Sequence, residues 1–246
     1  MKNYILKYFP FYGLAIFFLC NIIAMYFYPG GYFDNPENQG YDFFRNYLSQ
    51  LGRIRAYAID SNGYELSNMV SFRIWSSGMA TTGLIFIIYY ITLPTFFETK
   101  KIAILGSFLG VISCMCFILT GITPGDVILN LSHYSNPDLS INTIYVKDLH
   151  KFFANNIFYF GLLSSLIYSY VIYQSKEIDS IYGMGYYSFS VIIFLYVLIL
   201  IYGPSPFSSE SALIFQVTAQ KIVSISWVMC TFILSVGIKN IIDAKR

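Results

Sequence analysis

Charge is scarce in this sequence. Fifteen Lys and Arg and thirteen Asp and Glu make up 11% of 246 residues, where a soluble domain carries about 25%. That shortage excludes a water-soluble globule, because a chain that is 56% hydrophobic would leave large apolar patches facing water. A net charge of +2 without any basic run excludes a nucleic-acid partner. Histidine is nearly missing: His133 and His150 are too far apart for a zinc signature, and pairing them with Asp126 and Asp148 yields no recognised ligand spacing. No metal and no cofactor are expected. The four cysteines, Cys20, Cys114, Cys116 and Cys230, all lie in apolar stretches, which makes them small buried or lipid-facing residues rather than a disulfide framework. There is no internal repeat and no low-complexity segment, so the chain reads as one domain.

What the sequence does have is length of apolar run and aromatic residues, 23 Tyr and 23 Phe. Six stretches reach the roughly 20 residues that a helix needs to cross a bilayer. They cover about 9–28, 71–97, 102–122, 152–173, 182–202 and 212–238, three of them ended by Pro and Gly, the usual helix punctuation. The fold class expected is therefore an all-α integral membrane protein, a bundle of six transmembrane helices. The first stretch is too long for a signal-peptide core and no small-x-small cleavage site follows it, so it is read as a retained helix.

Lys and Arg set the orientation. With the N-terminus inside, short cytoplasmic segments hold eight of them, including Lys2, Lys7, Lys100, Lys101 and Arg246, whereas the opposite loops hold Arg45, Arg53, Arg55 and Lys147. The positive-inside rule then places both termini in the cytoplasm, and the plasma membrane is the expected residence. Two long extracytoplasmic loops, 30–70 and 123–151, carry most of the polar residues. Phe43, Phe44, Tyr47, Leu48 and Leu51 have helix-like spacing within 42–53, which predicts an amphipathic helix on the membrane surface. Asn130-Leu131-Ser132 matches the N-glycosylation pattern.

Strongly polar residues within spans are costly and mark functional sites by default. They gather toward one side. Helix two carries Arg73, Ser76, Ser77, Ala80 and Thr81 at spacings that predict one inward face. Helix six carries Gln216, Gln220 and Ser224 in a stripe beside Lys221. His150, Lys151, Asn155 and Asn156 open helix four, and Asp126 follows helix three. Small and polar stripes also serve helix packing, and Arg73 and Lys151 can reach headgroups by snorkelling. Lys221, however, lies about ten residues into its span, roughly 15 Å deep, and is expected to pair with Asp126. Arg73, Lys221, Gln220, Asp126, His150, Lys151 and Arg53 are the candidate ligand-binding residues. Ser49, His150 and Asp126 supply the residue types of a nucleophile–base–orienter site, although no nucleophile-elbow motif surrounds Ser49.

The run Tyr47-Leu48-Ser49-Gln50-Leu51-Gly52-Arg53, followed by Ser67-Asn68, Thr123-Pro124-Gly125-Asp126 and His150, resembles the six-helix membrane family catalogued as domain of unknown function 998. It is distantly similar to the Frag/DRAM/Sfk group. The resemblance implies a six-helix fold with the motif residues on the outer side and a connection to lipid handling; it implies no particular activity. Membrane hydrolases related to alkaline ceramidase use three histidines, and this chain has two.

The function expected is binding of a lipid or small amphiphile in an outward-facing polar pocket, with membrane lipids as partners. The alternative is a membrane enzyme acting on a lipid or cell-envelope precursor with His150 as base. A small transporter, or a structural subunit with a lateral membrane partner or a second copy, are the remaining readings.

Overall fold

A computed structural model of the chain describes residues 1–130 and 143–245. The asparagine of the Asn130-Leu131-Ser132 pattern ends a strand; Leu131, Ser132 and His133 lie outside the described residues. Six helices are long and apolar enough to cross a membrane: α1 Lys2–Tyr26, α2 Met69–Thr92, α3 Lys100–Ile122, α4 Val146–Gln174, α5 Ser180–Tyr202 and α6 Glu210–Ala244. Their outward faces carry Phe18, Leu19, Phe108, Leu195 and Met229, each about half exposed or more. In water such a surface would aggregate; in a bilayer it is solvated. The protein is an integral, multipass membrane protein.

Each helix packs on its chain neighbours, and α6 returns to α1, so the six close a ring in sequence order. Small residues set the close approaches. A β-carbon on Gly78 of α2 would stand 2.4 Å from the Cys20 β-carbon of α1, and one on Gly121 of α3 would stand 2.6 Å from that of Met79. At the end that carries the termini, Lys7 pairs with Asp243, joining α1 to α6, and Lys245 pairs with Glu177 at 2.5 Å.

The connections at the opposite end fold into a cap. After α1 come the antiparallel strands β1 Gly30–Tyr32 and β2 Asn35–Gln39, a short 3-10 helix Leu48–Gly52, and the hairpin of β3 Arg55–Ile59 with β4 Glu65–Ser67. A third hairpin, β5 Ile128–Asn130 with β6 Thr143–Tyr145, leads into α4. The amphipathic helix expected over 42–53 is absent: only the five-residue 3-10 helix forms. Asp42 explains why. Its carboxylate accepts the Phe44 and Arg45 amides at 2.8 and 3.0 Å, a local turn that competes with helix formation. The segment enters the bundle mouth, where Asn46 and Leu51 are completely buried.

Candidate functional site

Three of the seven candidate residues, Lys221, Gln220 and Asp126, hold this cap in place. Lys221, 3% exposed, donates from Nζ to the Asn46 carbonyl at 2.6 Å, with the Phe43 and Tyr41 rings 4.8 and 5.4 Å away. It does not meet Asp126. The lysine is deep because the loop comes down to it. Asn46 is the hub: its Nδ2 donates to the Gly31 carbonyl and to Gln50 Oε1, and its Oδ1 accepts the Asp42 amide. Tyr41 donates to the Asn46 carbonyl at 2.7 Å; burial pushes the Tyr41 hydroxyl far above the ordinary tyrosine range and keeps its proton in place. Gln220 accepts the Leu48 amide at 2.8 Å. Asp126 accepts the Ile54 and Arg55 amides at 3.0 and 2.9 Å, fixing the start of β3. Asn68 donates to the Arg53 carbonyl at 2.9 Å. Arg45 joins the cap to α6 by bonding Glu210 at 2.6 Å.

Arg73 is exposed on the outward face of α2 together with Ser77 and Thr81. The inward face is set by Trp75, Met79, Thr82 and Phe86. The single inward face expected for Arg73, Ser76, Ser77, Ala80 and Thr81 is therefore split: Ser76 is buried while Arg73, Ser77 and Thr81 point outward, because large aromatic and small close-packing residues decide which face turns inward.

His150 closes the end of α3. Its Nδ1 lies 2.6 Å from the Thr123 carbonyl, one of the acceptors a helix C-terminus leaves open. A carbonyl only accepts, so Nδ1 is the donor in this bond. The Ser49–His150–Asp126 triad does not form: a backbone carbonyl orients the imidazole, and the Asp126 carboxylate is engaged by two amides.

Two cavities meet at the 3-10 helix. One, of about 130 Å³, follows the ring axis. All six helices line it, through Phe17, Phe86, Cys114, Ser165, Phe189 and Trp227, and Leu48 and Ser49 close its upper end. From Trp75 to Tyr90 along α2 it runs about 22 Å at 1.5 Å per residue. Trp227 lines it from α6, its ring 5.3, 5.1 and 6.1 Å from those of Phe17, Phe86 and Phe117. The walls are mainly apolar, with hydroxyls from Thr82, Ser113, Thr120, Ser165 and Ser224 and the amide side chains of Asn21 and Gln220 among them.

The second cavity, about 360 Å³, is a vestibule in the cap. Ser49 lines it as well, with Gln50, Arg53, Tyr57, Lys147, Asp148, His150 and Lys151. Arg53, Ser49, His150 and Lys151 thus come together, whereas Arg73 and Lys221 do not join them. Sequence reasoning missed the chamber. Its only signal was the hydroxyls placed in mid-span, which read equally well as packing residues. No family model, curated protein or solved structure matches the chain.

Proposed function

We propose that this protein binds a lipid or small amphiphile, taking one slender apolar chain into the chamber along the ring axis. The supporting observation is the chamber: long, narrow, apolar and lined by every helix. An apolar cavity of about 150 Å³ stays dry and takes up small hydrocarbons, so a space of about 130 Å³ with a mainly apolar lining favours an apolar occupant over water. Native interiors hold few voids of this size; leaving one along a bundle axis costs stability unless something fills it. The distribution of Lys and Arg supports cytoplasmic termini, a plasma-membrane location and a cap on the outer side. The amphiphile then comes from the outer leaflet.

The test is Ala154→Phe, which puts a ring into the chamber wall near its upper end. Displacing about two methylenes of a bound chain should lower occupancy about tenfold. Quantifying co-purified lipid per protein by mass spectrometry reads this directly, with helical circular dichroism as the control for folding. Unchanged lipid content in a folded variant sinks the chamber reading.

A further inference from the structure

The vestibule and the chamber share Ser49, and this juxtaposition extends to the other end of the ligand. We infer that the vestibule takes an anionic, phosphate-bearing headgroup of the same molecule whose chain lies in the chamber, the two parts joining across Ser49. The inference rests on the chamber being a chain site, and it adds the chemistry of the head.

Among the described residues, three cations border the vestibule, Arg53, Lys147 and Lys151, against one carboxylate, Asp148. Their placement is specific. Arg53 is held in position: its guanidinium lies 4.0 Å over the Tyr57 ring, and its Nε donates to the Arg55 carbonyl at 3.0 Å. Among the described residues its carboxylate neighbour is Glu65, at 3.7 Å. That is too long for a good charged hydrogen bond, so the terminal nitrogens keep donors to spare. A fixed guanidinium with free donors is the group that recognises phosphate oxygens in pairs. Lys147 and Lys151 are four apart in the first turns of α4, hence on one face, at the helix end whose dipole favours an anion. Both are exposed and free to follow a headgroup. Asp148 stands in the same first turn, so a zwitterionic phosphodiester finds a partner for its ammonium as well. The vestibule wall also offers the Ser49 hydroxyl, at the point where a phosphate ester linkage would pass into the chamber.

Ligand geometry and cap geometry agree in one further respect. The 3-10 helix that separates the cavities is pinned by three side chains: Gln220 on the Leu48 amide, Asn46 on the Gln50 side chain, and Asn68 on the Leu51 carbonyl and that of Arg53 just beyond it. A threshold fixed in this way sets the distance between headgroup and chain entrance, so the site reads the join between the two and not either part alone.

The experiment compares probes of equal chain length in the full-length protein reconstituted in a neutral detergent: dodecyl phosphate, dodecyl maltoside, dodecyltrimethylammonium and, without any chain, inorganic phosphate. Affinity is read by calorimetry for the wild type, Arg53→Gln, Lys151→Gln and Ala154→Phe. Dodecyl phosphate should bind about tenfold tighter than the maltoside, the gain expected from one charge-assisted contact pair. Arg53→Gln and Lys151→Gln should each erase most of that preference without changing maltoside affinity, and Ala154→Phe should weaken every alkyl probe alike. Equal affinity for all three heads, all lost in Ala154→Phe, overturns the headgroup inference and leaves chain binding standing. Tight phosphate-dependent binding that Ala154→Phe does not weaken overturns the chamber reading itself. Inorganic phosphate binding as tightly as dodecyl phosphate shows a free anion site and overturns the claim that head and chain belong to one molecule.

Discussion

At the residue scale, Asn46 and Lys221 decide whether the cap stays closed. The Asn46 side chain satisfies a buried carbonyl, a buried amide oxygen and a backbone amide at once. Asn46→Ala strands those partners, and unsatisfied buried groups cost about 1–3 kcal/mol each, so about 3 kcal/mol is expected. Lys221→Met removes one hydrogen bond and two cation–π contacts and should cost about 2 kcal/mol. Because both residues hold the same loop, the double variant should lose less than the sum of the two. Thermal denaturation of the detergent-solubilised variants measures this, and strict additivity would show that the two act on separate units. The sequence made Lys221 legible as a buried amine in need of a partner. It did not reveal the partner, because a backbone carbonyl has no signature in a residue string. Asp126 shows the same limit: a carboxylate after Pro-Gly reads as a chemical group, and only the fold shows two amides aimed at it.

At the element scale, the 3-10 helix depends on Gly52. A β-carbon there would stand 2.3 Å from Cζ3 of Trp75, and Trp75 is itself 3% exposed with little room to withdraw. Gly52→Ala should therefore cost about 1–3 kcal/mol through forced repacking. It should also open the cap, read as faster hydrogen exchange of the Gln50 to Ile54 amides. Exchange that matches the wild type would mean that the ring yields and the contact carries no weight. The six spans were legible from the sequence because hydropathy over about 20 residues is a strong signal. The cap was not. Its strands are three to five residues long, too short for period-two alternation to register, and an apolar spacing in 42–53 imitated a helix that the Asp42 turn prevents.

At the scale of the whole molecule, the ring has six staves and its chamber belongs to none of them singly. Residues lining it come from α1 as well as from α6, so a chain lacking the last helix has an open trough where the site should be. Co-expressing residues 1–205 with 206–246, a cut in the short α5–α6 connection, should restore lipid binding, because the break lies outside the helices and Lys7–Asp243 still draws α6 to α1. Residues 1–205 alone should retain no lipid. Binding by the shorter piece would place the site elsewhere.

That the first helix finds its second neighbour only in the last also orders events during synthesis. The N-terminal helix enters the membrane with one flank unpartnered and keeps it against lipid while four further helices are made. The enclosure is complete only when the last of the six spans has been inserted, so under the proposed function a ligand is either trapped from the surrounding bilayer at that moment or admitted afterwards past the cap.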